Sequence, residues 1–127
     1  MKGIFSLDFY DEKKGIVVGG DYDKKDKSDS TVAITNDGGT TWKLIPSGQV
    51  TVGSCVQFRP GSEGKIILVA SLPGIYYSSD GGENWKKLND EKGNEISDGY
   101  YTFQFSPSGK VAWFAGANGR IARLEFK

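Results

Sequence analysis

The chain has 127 residues and a mass of 13.8 kDa, and 37% of its residues are hydrophobic, which is enough for one domain with a buried core. Sixteen basic and sixteen acidic side chains give a formal net charge of zero, so we expect neither a nucleic-acid partner nor a membrane partner. Histidine is absent and Cys55 is the only cysteine, which excludes an internal disulfide and the usual zinc ligands. We therefore expect no metal and no cofactor.

The N-terminal segment contains no long apolar stretch, and no apolar run approaches the roughly 20 residues that a membrane-spanning helix requires. The sequence therefore shows no signal peptide and no transmembrane segment. It leaves the cellular compartment undetermined.

The first unit of the chain, about residues 1–49, alternates between strand patterns and polar turns. Residues 5–9 alternate in polarity, which predicts a half-buried strand, and the apolar run at 16–18 is typical of a central strand covered on both faces. The link at 21–30 is long, charged and poor in apolar residues, which predicts a solvated surface loop. Its four aspartates lack the spacing of a calcium loop and alternate with lysines, so we expect no calcium site.

A turn motif at residues 35–42 reads hydroxyl residue, any residue, Asp, any residue, Gly, two further residues and Trp. We call this motif the box. The first box has these four positions at Thr35, Asp37, Gly39 and Trp42, and the second at Ser78, Asp80, Gly82 and Trp85. The two copies are 43 residues apart. A repeat of this length made of short strands predicts the blades of a β-propeller.

The second and third units, about 50–95 and 96–127, repeat the strand order of the first. Alternating strands are predicted at 55–58 and 102–105, apolar central strands at 66–70 and 111–115, and third strands at 74–78 and 119–123. The third unit has no box before the chain stops at Lys127, so its fourth strand is absent or supplied from elsewhere. We predict a single all-β domain of about three four-stranded antiparallel blades, equivalent to half a propeller.

The chemistry of the box predicts a structural role. Asp-Gly-Gly between two strands supplies residues that tolerate a positive φ angle, and the Asp carboxylate accepts hydrogen bonds from backbone N–H groups of the turn. The hydroxyl residue adds a further hydrogen bond, and the tryptophan offers a large apolar surface for packing.

The two boxes resemble the repeats of the BNR or Asp-box family, which occur in sialidases and in non-enzymatic propellers such as photosystem assembly factors and uncharacterised bacterial proteins. The resemblance covers nearly the whole chain, with two well-formed boxes and one degenerate unit. It implies a propeller fold. It also implies that the box turns lie on the face opposite the binding pocket.

Sialidase chemistry requires three arginines that converge on one carboxylate, and the arginines of this chain are Arg59, Arg120 and Arg123. Arg59 falls in a turn at the box end of its unit. Arg120 and Arg123 lie three apart on one strand and should point to opposite faces. We therefore expect no catalytic residues of this type.

Candidate ligand contacts lie in the connectors at the end opposite the boxes, because loops on a rigid scaffold commonly carry binding residues. The candidates are Tyr22, Glu95, Asp98, Tyr100 and Asn118. The alternative interpretation is that Glu95 and Asp98 are solvated loop charges and that Tyr100 is an ordinary strand aromatic.

The favoured function is a non-catalytic scaffold that binds a protein or a glycan. The alternative is a subunit or remnant of a propeller glycoside hydrolase, which would need two carboxyl groups within about 10 Å in one pocket. Because closed propellers have roughly 4 to 8 blades, three blades would expose apolar faces and strand edges. We expect a homodimer that completes a six-bladed ring. A fragment of a longer propeller and a curved open arc are the alternatives.

Overall fold

The computed structural model describes residues 3–21, 31–46, 50–71, 74–90, 92–93 and 99–126. These residues form eleven strands and one 3-10 turn, Ala117–Gly119. The strands are β1 (Gly3–Phe9), β2 (Gly15–Gly20), β3 (Val32–Thr35), β4 (Lys43–Leu44), β5 (Gly53–Phe58), β6 (Ile67–Ser71), β7 (Gly74–Ser78), β8 (Lys86–Lys87), β9 (Tyr100–Phe105), β10 (Val111–Gly116) and β11 (Ile121–Glu125). The all-β prediction is confirmed.

The strands form three antiparallel sheets in which consecutive strands are neighbours. Sheet 1 contains β1 to β4 and sheet 2 contains β5 to β8. Sheet 3 contains only β9, β10 and β11 among the described residues, so the general prediction of four strands per sheet holds for two sheets. At the corresponding end of sheet 3, the Phe126 N–H donates to the Lys110 carbonyl at 2.9 Å. This bond continues the β10–β11 ladder at the place where the other sheets turn into a box.

The first strand of each sheet contains a β-bulge at the same position. The register of β1 against β2 shifts between Ile4 and Ser6, and that of β5 against β6 shifts between Gly53 and Cys55. The pairing of β9 with β10 shifts at the step from Thr102 to Tyr100. A bulge increases the local twist of a strand. The bulge is thus part of the repeat, although no feature of the sequence pattern predicted it.

Two apolar clusters hold the sheets together face to face. The first lies between sheets 1 and 2 and is formed by Ile16, Val18, Val32, Ile34, Ile45, Val50, Val56, Phe58, Ile67, Val69, Tyr76 and Trp85. The second lies between sheets 2 and 3 and is built around Leu68, Ala70, Ile75, Tyr100, Phe103, Phe105, Ala112 and Phe114. Sheet 2 is therefore covered on both faces, whereas sheets 1 and 3 each have one face toward the core and one face directed outward.

Two strands that contribute to the outward faces are less buried than the sequence predicted. Every residue of β2 and β6 is buried, as expected for central strands. In β10, however, Trp113 points away from sheet 2 and is exposed. The predicted half-burial of the first strand also fails for β1, where Leu7 and Phe9 are exposed. In both cases the side chain lies on a sheet face with no neighbouring sheet among the described residues.

Candidate functional site

The first box is a hydrogen-bonded turn between β3 and β4. The Thr35 hydroxyl donates to Asp37 Oδ1 at 2.8 Å and accepts from the Gly39 N–H at 2.9 Å. Asp37 also accepts from the Thr41 N–H at 2.9 Å and from the Thr41 hydroxyl at 2.6 Å. Gly38 and Gly39 have φ angles of 73° and 91°, which side chains with a Cβ rarely adopt. The carboxylate therefore closes a turn that only this Gly-Gly pair permits without strain.

The second box repeats this geometry between β7 and β8. The Ser78 hydroxyl donates to Asp80 Oδ1 at 2.8 Å and accepts from the Gly82 N–H at 2.9 Å. The Asn84 N–H and side-chain amide donate to Asp80 at 2.9 Å and 2.8 Å. The Trp85 indole N–H donates to the Gly82 carbonyl at 2.8 Å. The side chains of Ser78, Asp80 and Asn84 are therefore used within the turn.

Each box is also tied to the first hairpin turn of its own sheet. The Gly38 N–H donates to the Lys13 carbonyl at 3.0 Å, and the Gly81 N–H donates to the Lys65 carbonyl at 2.9 Å. Lys13 and Lys65 precede the second strands of their sheets by the same number of residues. The two turns at this end of each sheet are thus joined by one backbone hydrogen bond.

The box carboxylates have lowered pKa values. The side-chain and backbone hydrogen bonds from Thr41, followed by the one from Thr35, lower the pKa of Asp37 from 3.8 to about 2. For Asp80, desolvation acts to raise the pKa, but hydrogen bonds from Asn84, Ser78 and Glu83 together outweigh it and lower the pKa. Both carboxylates therefore remain ionised to a lower pH than a free Asp.

The lowered pKa of Asp37 predicts a loss of stability in acid. A carboxyl group with a folded-state pKa below its unfolded value stabilises the fold above pH 3.8, and this contribution is lost as the pH falls through about 2. Asp37→Asn preserves the shape of the side chain and removes its titration. We expect the urea midpoint of Asp37→Asn to fall less than that of the parent protein between pH 4 and pH 2. Parallel curves over this window would contradict the prediction.

The joint between sheets 1 and 2 contains polar side chains as well as the apolar cluster. The Ser6 hydroxyl accepts from the Val56 N–H at 3.1 Å, and Asp8 Oδ2 accepts from the Phe58 N–H at 2.8 Å. Burial raises the pKa of Asp8, although the hydrogen bonds from Phe58 and Phe9 act against this shift. Side chains of β1 thus satisfy backbone donors on the edge of β5, where a further strand would otherwise pair.

The joint between sheets 2 and 3 uses the same device. Gln57 lies on β5 at the position that Asp8 occupies on β1, as the strand registers show. Its side-chain amide donates to the Phe103 carbonyl at 2.9 Å and accepts from the Phe105 N–H at 3.3 Å. The amide of Gln57 therefore makes a two-point contact with the edge of β9. We refer to this pair of bonds as the clasp.

The outward face of sheet 1, which we call the trailing face, is largely apolar. It carries Leu7, Phe9, Trp42 and Leu44. The Phe9 and Trp42 rings meet edge to face with centroids 6.2 Å apart. Trp42 is 41% exposed, whereas Trp85 at the same box position is 7% exposed because it packs in the first cluster. Sheet 1 covers Trp85, whereas no described sheet covers Trp42.

The outward face of sheet 3, which we call the leading face, carries Gln104, Trp113, Ile121 and Arg123. These residues alternate with Phe103, Ala112 and Leu124, which pack toward sheet 2. Trp113 is 45% exposed and Ile121 is 75% exposed. Their register equivalents in sheet 2, Leu68 and Ile75, are buried. The leading face thus exposes apolar side chains at positions that are covered in sheet 2.

The predicted ligand contacts are only partly visible. Tyr22, Glu95 and Asp98 lie outside the described residues. Tyr100 is 5% exposed and packs edge-on against Phe114 at 5.8 Å, so it is a core aromatic that offers little surface to a ligand. Asn118 is exposed in the turn between β10 and β11, with a φ angle of 60°. Of the two candidates that the structure describes, Asn118 is exposed and Tyr100 is buried.

The three arginines contact three different parts of the protein. Arg59 Nε donates to the Gly109 carbonyl at 2.7 Å, and its guanidinium lies over the Phe126 ring at 4.2 Å. Arg120 donates to the Gly99 carbonyl at 3.4 Å, and Arg123 pairs with Glu125. This arrangement is not the convergent set of a sialidase.

A cleft of about 200 Å³ lies between sheets 1 and 2 at the box end and is lined in part by Lys14, Lys65, Asp80 and Glu83. Glu83 forms an ion pair with Lys43 at 2.9 Å. A glycosidase acid needs a raised pKa, but the pKa of Asp80 is lowered. Asp80 is therefore not suited to the role of the glycosidase acid.

The part of the chain that the structure describes contains neither a metal-binding cluster nor a membrane-spanning helix. There, no group of three or more acidic or thiol side chains is placed to hold a metal ion. The same residues contain no helix of the length and apolarity needed to cross a bilayer. Cys55 is half-buried, with its sulfur 4.0 Å from the Phe103 carbonyl oxygen.

Comparison with known proteins gives a consistent picture of the fold. Residues 76–87 match the family model described as BNR/Asp-box repeat. No curated protein matches the sequence. The solved structure titled "YCF48 bound to D1 peptide" has a TM-score of 0.66 and 21% identity, covering 94% of this chain and 36% of that chain. The computationally designed Ika4 protein has a TM-score of 0.53 and 13% identity, covering 98% of this chain and 92% of that chain.

The chain thus spans 36% of the length of the YCF48 chain, and at these identities the likeness concerns the fold. The matched segment 76–87 includes most of the second box, whose hydrogen bonds recur at the first box. Residues 76–87 therefore match a BNR/Asp-box repeat, and the three sheets have the fold of β-propeller blades.

Proposed function

We propose that this protein is a non-catalytic propeller scaffold that closes a six-bladed ring with a second copy of itself and binds a protein partner. The observation that carries the proposal is the contrast in burial between equivalent positions. Apolar residues on the trailing and leading faces are exposed, whereas their counterparts inside the chain are buried between sheets. Large exposed apolar faces favour association, and two copies would supply six sheets for one ring.

Binding of a protein partner is supported by the fold. A structurally similar propeller has been solved with a bound peptide, and the described connector opposite the boxes, Ala117–Gly119, joins two strands of a rigid sheet. The Thr35, Asp37, Ser78 and Asp80 side chains bond within their own box turns, so the opposite end is the better place for a ligand. A glycan is the alternative ligand. Binding of the purified protein to a peptide array rather than a glycan array would support the proposal, and the reverse result would overturn this part of it.

The assembly has a direct test. We expect light scattering of the purified chain at micromolar concentration to give twice 13.8 kDa. The interface of such a ring should be large, on the order of 2,000 Å² or more, as in obligate dimers. A stable monomer at these concentrations would contradict the ring.

A further inference from the structure

The joints between sheets follow one rule that can be applied to the ends of the chain. In both joints, a polar side chain on the first strand of one sheet bonds to the backbone edge of the first strand of the next sheet. The donor groups on that edge belong to Phe58 in the first joint and to Phe105 in the second. The side chains of these two phenylalanines are buried in the same joints. In each joint, therefore, one polar side chain of a first strand bonds to the backbone of the next first strand, beside a buried phenylalanine.

Gln104 occupies in sheet 3 the position that Gln57 occupies in sheet 2. Gln104 pairs with Trp113 across the ladder as Gln57 pairs with Leu68 and Asp8 pairs with Ile16. Gln104 has the same side chain as Gln57, and it is exposed on the leading face. The Gln104 amide on the leading face thus has the same position as the Gln57 amide, which bonds to the next sheet.

The trailing face presents the edge that a clasp would bind. Leu7 and Phe9 occupy in β1 the positions of Phe103 and Phe105 in β9. The Tyr10 N–H donates to the Lys14 carbonyl within the β1–β2 hairpin. Because N–H directions alternate along a strand, the Phe9 N–H points away from β2, toward the open edge, where the Asp8 carboxylate of the same chain also accepts from it. The two ends of one chain are therefore complementary to each other.

We propose that the leading face of one copy docks on the trailing face of a second copy, with the Gln104 amide bonded to the Leu7 carbonyl and the Phe9 N–H of that copy. This inference rests on the proposed ring and specifies its interface. The contact is head to tail, and a two-fold axis uses it twice and closes the ring. The docked faces bury Trp113 and Ile121 of one copy against Leu7 and Trp42 of the other. The register equivalents of these four residues are already buried between sheets of one chain.

Two exposed leucines on the trailing face provide a matched pair of variants. Leu7 is 61% exposed and Leu44 is 54% exposed. Leu7 corresponds to Val56, which is buried in the first joint, whereas Leu44 corresponds to Lys87. The joint between sheets 1 and 2 thus contains a lysine, Lys87, at the position of Leu44. At the position of Leu7 the same joint contains a buried valine.

We expect Leu7→Lys to raise the dimer dissociation constant by about 100-fold or more, because a charge would be buried without a partner. Leu44→Lys should leave the dissociation constant within about threefold of the parent value. Sedimentation equilibrium measures both, and circular dichroism verifies that each variant is folded. Equal effects of the two substitutions would overturn the proposed register.

A mixing experiment tests the head-to-tail direction. Ile121→Asp disrupts the leading face, so it should be monomeric by itself, as should Leu7→Lys. In a mixture of the two variants, the unchanged leading face of Leu7→Lys can dock on the unchanged trailing face of Ile121→Asp. The mixture should therefore form dimers through this one intact joint. If the trailing faces instead met each other, Ile121→Asp would remain dimeric and the mixture would recover nothing, which would overturn the direction.

Gln104→Ala tests the clasp itself without adding a charge. The loss of two hydrogen bonds at each of the two joints should raise the dimer dissociation constant by about tenfold or more. An unchanged constant in a dimeric parent protein would overturn the clasp while leaving the ring intact. A monomeric parent protein would overturn the ring and this interface together.

Discussion

Trp85→Ala should lower the free energy of unfolding by about 3 to 5 kcal/mol. Trp85 is 7% exposed and lies in the cluster between sheets 1 and 2, so its removal leaves a cavity that both sheets line. Its indole N–H also donates to the Gly82 carbonyl, and truncation would leave this acceptor without that donor. Urea denaturation followed by circular dichroism measures the change.

Trp42→Ala is the matched control, because Trp42 has the same box position in sheet 1. At 41% exposure it loses less burial on truncation, so we expect a smaller change in unfolding free energy when the protein is dilute. If the ring forms, Trp42→Ala should instead weaken dimerisation. Equal destabilisation by Trp42→Ala and Trp85→Ala in the monomer would contradict this prediction. It would show that contacts within the box, and not the neighbouring sheet, determine how much the tryptophan stabilises the fold.

Gln57→Ala should lower the free energy of unfolding by about 1 to 3 kcal/mol. The Phe105 N–H and the Phe103 carbonyl lose their contacts to the side-chain amide. No strand of the described chain replaces this amide at the edge of β9, so the donor is left without its partner. Thermal denaturation at matched concentrations provides the measurement.

Gln104→Ala is the control for this change, since it removes the same side chain at the same position of the next sheet. Below the dimer dissociation constant we expect its stability to equal that of the parent protein. A comparable loss of stability in the monomer would mean that Gln104 already contributes to the isolated fold, contrary to its exposure.

Local patterns were sufficient to predict most of the strands and the box turns, although the strand predicted at 119–123 lies at Ile121–Glu125. The alternation at residues 102–105 and the apolar run at 111–115 correspond to β9 and β10, because side-chain direction alternates along a strand and each pattern reports its own burial. The box turns were predictable for the same reason, since Asp37 and its partners lie within a few residues of one another.

The sequence by itself determined the repeat, its strands and the chemistry of its turns, all of which depend on short-range contacts. Only the tertiary structure decided which copy of a repeated residue is covered. Trp42 and Trp85 share one motif, as Gln57 and Gln104 share one position, yet one member of each pair is exposed and the other is engaged in a joint. The physical reason is that burial depends on the sheet that packs against a face, and this neighbour is not encoded in the residues around the position.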